Sequence, residues 1–521
     1  MKGLPTLGLL GRLSLLVALT AVACSKKEAA VPRLTEEVAE HFDPALKPFY
    51  HGVASGDPLA DRVILWTRVT PDTQLPKINV AWEVAEDEAF ASIYRTDTTS
   101  THAARDYTVK VDVDGLKPGR KYFYRFKALN ATSPVGQTKT TPTGPQDSLK
   151  LAIVSCSNWE WGFFNAYDKI ANRTDVDAVI HLGDYIYEYG QGKYGDTTIR
   201  KNLPTHEIVT LQDYRTRHSL YRLDKGLRRL SQRHPMIAIW DDHEVANNVY
   251  TTGAQNHQPG QEGDFAKRRE AAVKAYYEWL PIRESAKHYR AFSYGSLADV
   301  FMLDERLEGR TKPADSMNDP AFLSEEQTML GQEQLAWFEN GLKNSTAQWK
   351  VVGNQVIFAD VELSPVYPKM PRNLDSWDGY PKEKARLVET IRTQKIQDII
   401  FITGDTHASW AIEAATEVKK TYNPQTSKGA FAVELGTTSV SSANDNEYHS
   451  TDTVRRMEEA MRKANPHVKY LNARDHGYLL LTLYPQAARG EWYYMESLRQ
   501  PETSEVLGKR VRVKRGQSRI E

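Results

Sequence analysis

The sequence predicts an α/β catalytic domain preceded by an antiparallel β-sandwich. Two observations carry this. Between residues 48 and 142, short strand-like runs are separated by turn residues at the spacing of a sandwich. From residue 149 to 498, apolar strands alternate with helical stretches, the pattern of a sheet covered by helices. Thr138 to Ser148, rich in Pro, Gly and Thr, is the expected linker between them. The 521 residues suffice for two or three domains with a large core.

Residues 1–23 are expected to be a signal segment. Lys2 and Arg12 precede the apolar run Leu13–Val22, which suits export and is too short to span a bilayer. Ala21-Val22-Ala23 leads into Cys24 as in a bacterial lipobox, so Cys24 is the expected lipidation site and the cell envelope the expected location. Residues 24–47 then form a polar tether to the membrane. The sandwich strands are Val63–Val69, Asn79–Val84, Thr108–Val113 and Lys121–Phe126, with turns at Asp114-Gly115 and Lys117-Pro118-Gly119. Helices are expected over Phe163–Ala171, Phe265–Leu280, Glu325–Asn340 and Lys382–Arg392. Residues 499–521 contain a cluster of Lys and Arg and are expected to be a solvated basic tail.

Lys+Arg and Asp+Glu are equal at 67 each, which excludes an overall basic footprint for nucleic acid. No obligate protein partner is evident. The only cysteines are Cys24 and Cys156. With Cys24 lipidated, Cys156 has no disulfide partner and becomes a buried hydrophobe, a metal ligand or a nucleophile.

The chemistry lies where the apolar strands of the second domain stop, since ligand sites of α/β sheets collect at carboxyl ends. Leu151–Ser155 ends at Cys156. Ala178–Ile180 leads to Asp184, with Tyr187 three residues on. Met236–Trp240 ends at Asp241-Asp242-His243-Glu244, with Asp242 the preferred ligand and Asp241 the alternative. Lys350–Gly353 runs into Asn354, and Ile399–Gly404 into Asp405-Thr406-His407. Five strand ends thus offer a ligand set. Thiolate, phenolate and imidazole from Cys156, Tyr187 and His407 suit a transition metal, and a phenolate favours Fe(III). Asp242, Asn354 and Asp405 are hard oxygen donors suited to Ca²⁺, with Mn²⁺, Mg²⁺ or Zn²⁺ as alternatives. Asp184 can bridge the two. Two ions about 3.5–4 Å apart would clamp phosphoryl oxygens.

The stretches Ser155-Cys156, His181–Glu188, Trp240–Glu244 with Asn247-Asn248, Leu303–Arg306, Gly404–His407, Val433–Ser442 and His51–Pro58 together resemble the alkaline phosphatase D (PhoD) family, over roughly residues 48 to 495. The resemblance implies a calcineurin-like, four-layer αββα catalytic domain behind a fibronectin-III-like sandwich. It implies phosphomonoesterase or phosphodiesterase activity with Fe(III) and Ca²⁺ activating hydroxide; the alternative reading is a phosphodiesterase on lipid, teichoic or nucleic-acid phosphates. The family is also similar to purple acid phosphatases. Cys156 stands where those enzymes have an aspartate, and Asn354 and Asp405 stand where they have histidines. The chain lacks an Arg-Arg pair before the apolar run, unlike the twin-arginine signals of many family members.

Four further expectations follow. His243, beside a ligand aspartate, is the candidate proton donor to the leaving oxygen. Asn158 and Arg306 are candidate phosphate binders. Trp159 and Trp161 are candidates for the pocket mouth. His181, inside a strand, is expected to be a core histidine. The competing class is a surface lipoprotein whose β-sandwich binds a partner while the metal centre is structural or degenerate.

Overall fold

A computed structural model describes residues 36–521. The expected signal segment, the lipidation site Cys24 and the first part of the tether lie outside the described residues. The rest of the tether is folded. Val38 is buried, and Arg68 forks onto Glu36, with Nη2 2.7 Å from Oε1. Val38 and Glu36 thus anchor this segment to the body of the protein, while most of its other side chains through residue 47 face solvent.

Two sheets form the catalytic domain. One has nine strands, in the order 505–514, 487–495, 477–484, 149–154, 178–181, 235–238, 53–56, 63–68 and 108–113. The other has seven, in the order 290–294, 298–302, 349–354, 399–403, 432–436, 409–414 and 468–472. Alternation along the strands explains how they stack. Leu151, Ile153, Ala178, Ile180 and Ile237 of the first sheet meet Val300, Met302, Val351, Ile400 and Ile402 of the second in one buried layer. The intervening residues face the other way. Ala152, Val154, Val179 and Met236 pack under helices Asn165–Ala171, Leu211–Arg222, Lys225–Arg233 and Phe265–Trp279. Phe301, Val352 and Phe401 pack under Gly331–Asn344, Pro381–Thr393 and Thr451–Ala464. The result is four layers, α on β on β on α.

The N-terminal sandwich is not a separate unit. Strands 53–56, 63–68 and 108–113 are at once one of its two sheets and the edge of the nine-stranded sheet. Its other sheet holds strands 78–85, 93–101, 121–128, 131–132 and 136–139, and Val63, Leu65 and Val109 close on Val80, Tyr122, Tyr124 and Phe126 between them. The join is the parallel pairing of Ser55 with Pro235 and Gly56 with Met236. Gly56 is required there, because a Cβ would lie 2.2 Å from the carbonyl oxygen of Pro281. Asp57 then takes the Arg290 guanidinium, Nη2 to Oδ1 2.8 Å, and ties the His51–Pro58 stretch to the second sheet.

Two sequence expectations need correction. Residues 499–521 are not a solvated tail, since Glu505–Lys514 is an edge strand paired with Ala487–Met495. Val511 and Val513 point inward while the flanking Arg510, Arg512 and Lys514 are exposed, Arg510 pairing with Glu491 at 2.7 Å. Charge hid a period-two strand. The third expected helix sits later than its sequence pattern suggested, over Gly331–Asn344, because Gly331 adopts φ +72° and holds the preceding residues out of the helix.

Candidate metal centre

Strands 149–154, 178–181 and 235–238 run parallel, as do 298–302, 349–354, 399–403 and 432–436. Their carboxyl ends therefore deliver side chains to a common edge. Cys156, Asp184 and His407 each offer a ligand atom within 4.8 Å of the other two. The same spacing holds for Asp184, Asp242 and His243, and for Asp241, Asp242 and Asp405. Asp184 and Asp242 each belong to two of these groups, so the three groups form one continuous cluster.

Tyr187 completes the first group. Its hydroxyl donates to Asp184 Oδ2 at 3.0 Å and lies 3.2 Å from His407 Nε2. His407 Nδ1 donates to the carbonyl of Ala443 at 2.6 Å, which turns a lone pair on Nε2 toward the cluster. Burial, with Asp184 close by, pushes the Cys156 thiol and the Tyr187 phenol well above their usual values. Only a strong local positive charge would draw both protons off. The backbone is held in the left-handed region at Cys156, Asp184, Asp405 and His407, with φ of 58°, 54°, 60° and 55°. Such conformations are costly for residues with a Cβ, and they persist where the surroundings impose them.

Those surroundings can be named. Glu244 is buried, and its carboxylate accepts the backbone N–H groups of Asp184 at 3.0 Å and Asp241 at 2.8 Å, and that of Tyr185. One side chain thus fixes two ligand loops. Gly183 lets those loops touch, because a Cβ there would lie 2.3 Å from the Asp241 nitrogen. Arg217, from the helix Leu211–Arg222, donates to the carbonyl of Tyr187. The Cys156 carbonyl accepts from Ser441 and Ser442, at 3.3 and 3.1 Å, so the Val433–Ser442 stretch works by clasping the cysteine loop.

The oxygen-rich side holds its own cation. Arg306 is fully buried and donates to Asp241, to Asp375 at 2.6 Å and to Asp405 at 3.2 Å, with Asp242 3.7 Å away. Burial, opposed by Arg306 but reinforced by Asp242, pushes Asp241 up to about 8. Burial likewise raises Asp405 to about 7. Asp242 is held well below the carboxylate range: burial works against this, but His243 and Arg306 outweigh it. Asp241 Oδ2 is buried without a hydrogen-bond partner. A buried carboxylate oxygen left open, beside a thiol, a phenol and an imidazole that share one point, is a donor set that fits cations.

His243 has its Nδ1 2.6 Å from Glu188 Oε2, and its ring lies 4.3 Å from that of Tyr187, tilted by 33°. Burial would discharge it, yet Asp242, Glu188 and Asp184 raise its pKa well above the usual histidine value. Glu188 also accepts from the Asn247 backbone at 2.7 Å and from Asn256 Nδ2 at 2.8 Å.

Three candidates sit differently from their sequence reading. Asn158 is spent within its own loop: Oδ1 accepts from the Glu160 nitrogen at 2.9 Å and Nδ2 donates to the Tyr194 carbonyl at 3.0 Å. Arg306 is committed to carboxylates on every side-chain nitrogen, so a phosphate would have to break ion pairs to reach it. Asn354 reaches the expected edge, but its Oδ1 accepts from Trp377 Nε1 at 2.9 Å and its Nδ2 donates to Val356 and Thr403. Trp159 is core, donating to the Lys201 carbonyl at 3.1 Å, and Trp161 stands near Tyr194 and Tyr448. His181 is buried against Tyr167 at 2.8 Å. Glu188, Glu244 and Asp375 went unassigned in the sequence. Glu188 and Glu244 each lie within two residues of an assigned one, and that adjacency was the only signal.

A two-sheet α/β fold with clustered thiol, phenol, imidazole and carboxylate groups at strand ends is compatible with the metal centre of a hydrolase. The comparisons with known proteins specify it. Residues 151–492 match the model of the PhoD-like phosphatase family, and residues 35–142 match that of its N-terminal domain. The chain is 38% identical to alkaline phosphatase D of Bacillus subtilis (strain 168) over 485 residues, covering 87% of this chain and 79% of that one. A solved structure of PhoD superposes with a TM-score of 0.82 at 35% identity, covering 92% of each chain. The chain belongs to the PhoD-like phosphatase family and is a hydrolase acting on phosphoric ester bonds.

Proposed function

We propose that the protein hydrolyses phosphate monoesters, and diesters as well, at a centre holding two unlike cations. The carrying observation is the asymmetry around Asp184, with sulfur, phenol and imidazole on one side and carboxylates on the other. Cys156, Asp184, Tyr187 and His407 would hold Fe(III), and Asp184, Asp242, Asp405 and Asn354 would hold Ca²⁺. Ligation by Asn354 requires its Oδ1 to share its lone pairs with Trp377. When bound, such a pair lowers the pKa of water and neutralises phosphoryl charge.

The chain's own groups supply the rest. His243 carries a proton, and Glu188 engages its Nδ1, which leaves Nε2 to donate to the departing alkoxide as the phosphorus–oxygen bond breaks. Glu244 and Arg217 keep Asp184 and Tyr187 in place without touching substrate. Export and anchoring through Cys24 to the cell envelope belong to the same proposal and rest on the lipobox-like sequence.

The test is p-nitrophenyl phosphate turnover before and after chelation, with a visible spectrum of the purified protein. A tyrosinate-to-iron charge-transfer band that vanishes in Tyr187→Phe is expected. Turnover that survives complete metal removal would sink the proposal. Bis-p-nitrophenyl phosphate measures the diesterase share, and palmitate labelling of wild type against Cys24→Ser tests the anchor.

A further inference from the structure

A cavity of about 370 Å³ opens beside the cluster, and Asp405, Thr406 and His407 form part of its wall. That volume falls in the range of small-molecule sites, roughly 300–1,000 Å³. The rest of the wall is largely apolar, with Ile357, Leu363, Val366, Met370, Trp410 and Met461 among its residues. Its carboxylates are already engaged: Asp378 with Lys384 at 2.8 Å and Arg372 at 3.1 Å, Glu458 with Arg474 at 2.9 Å, and Asp445 with the Tyr367 hydroxyl at 3.1 Å. Asp378 and Glu458 are thus neutralised by cations, while Asp445 is held by a neutral hydroxyl. Around the opening, Tyr448 is 60% exposed, Met370 44% and Tyr367 36%, which leaves large apolar groups in water beside a catalytic cluster.

From this we infer that the groove is a specificity subsite for the organic half of the substrate, and that it selects phosphate esters carrying an apolar alkyl chain. The inference rests on the phosphoesterase reading, because the phosphoryl group must sit at the Asp405–His407 wall for the chain to lie in the groove. Continuity with that wall carries the choice of occupant. A ligand whose phosphorus is held at the cluster can lay its substituent along Val366 and Met370 and exclude water from them.

Calorimetric titration of the metal-loaded protein with ethyl-, butyl- and octylphosphonate, kept below micellar concentrations, tests this without turnover. Each added methylene should tighten Kd about fourfold until the groove is filled. Met370→Glu and Val366→Asp should weaken octylphosphonate tenfold or more and leave ethylphosphonate within twofold. A Kd independent of chain length overturns the subsite, as does an equal loss for both ligands in both variants. Failure of the phosphatase reading looks different: chain-length-dependent binding would persist in a protein that does not turn over p-nitrophenyl phosphate.

Discussion

On the Cys156 side of Asp184 the donors Cys156, Tyr187 and His407 face one another, and each is fixed through backbone: His407 by Ala443, the cysteine loop by Ser441 and Ser442, the Tyr187 loop by Arg217. On the Asp242 side the carboxylates surround a resident guanidinium, Arg306, which is bound to three of them and lies near a fourth. The first side is therefore preorganised by hydrogen bonds and waits for charge from outside. The second is partly neutralised by the chain itself. The loss of one residue should then read out differently on the two sides: as chemistry on the first, as folding on the second.

Asp184 joins the two sides, so Asp184→Asn is the most severe single change. It removes charge from both ligand groups while keeping the shape and the hydrogen bond from Tyr187. We expect kcat/KM to fall by on the order of 10³ or more, with thermal stability of the metal-free protein unchanged or slightly raised, since the buried carboxyl is lost. Steady-state kinetics and a melting curve measure both. Activity within tenfold of wild type would remove Asp184 from its bridging role.

Arg306→Met breaks the comparison from the other side. It leaves buried Asp241 and half-buried Asp375 and Asp405 without their counter-charge, which should cost on the order of 3 kcal/mol. The same substitution should cost less in metal-loaded protein, where added cations offset the carboxylates. Cys156→Ser, by contrast, should abolish activity with a loss of stability on the order of 1 kcal/mol. Denaturant melts of both variants, with and without metal, separate the two plans. Equal destabilisation would erase the distinction.

The metal-free protein should also reveal its excess of buried acid through pH. Asp241 and Asp405 are raised to about 8 and about 7, chiefly by burial, and Glu305, buried against Trp377, is raised to about 8. Each binds its proton more tightly folded than unfolded. The stability they contribute is fully present below about pH 4 and is lost as pH rises through 7 and 8. The Tm of chelated protein should therefore fall between pH 5 and 8, and the metal-loaded Tm should fall less, because bound cations replace the protons. Parallel pH dependences of the two would contradict this account of the acidic side.

Much of this was legible in the sequence, for a physical reason. Continuous apolar strands, buried on both faces, end at fixed points, and parallel pairing carries those points to one edge, so Cys156, Asp184, Asp242, Asp405 and His407 could be grouped from their strand ends alone. Arg306 also sits just after a strand, but its role depends on Asp375, 69 residues away in a stretch with no regular periodicity. No pattern of spacing announces that pair. Asn158 failed for the opposite reason: a short polar side chain in a tight loop is taken first by its neighbours' backbone. The edge strand Glu505–Lys514 was hidden by its own surface charges.

Glu188→Gln is the smallest and most specific of these tests. Glu188 touches neither ligand group. It acts on the cluster only through His243 Nδ1, 2.6 Å away, and through the Asn247 and Asn256 donors. Glutamine keeps the shape and the acceptor but removes the charge that helps hold His243 protonated. The folded pKa of His243 should drop, so the proton it donates is lost at lower pH. The alkaline limb of the kcat profile should move down by about one unit, and kcat at alkaline pH should fall about tenfold. Because Asp242 and Asp184 still favour the imidazolium, activity at pH 6 should stay within about threefold of wild type. A uniform loss across the whole pH range would instead make Glu188 a scaffold for the Asn247 turn, and His243 would need another source for its charge.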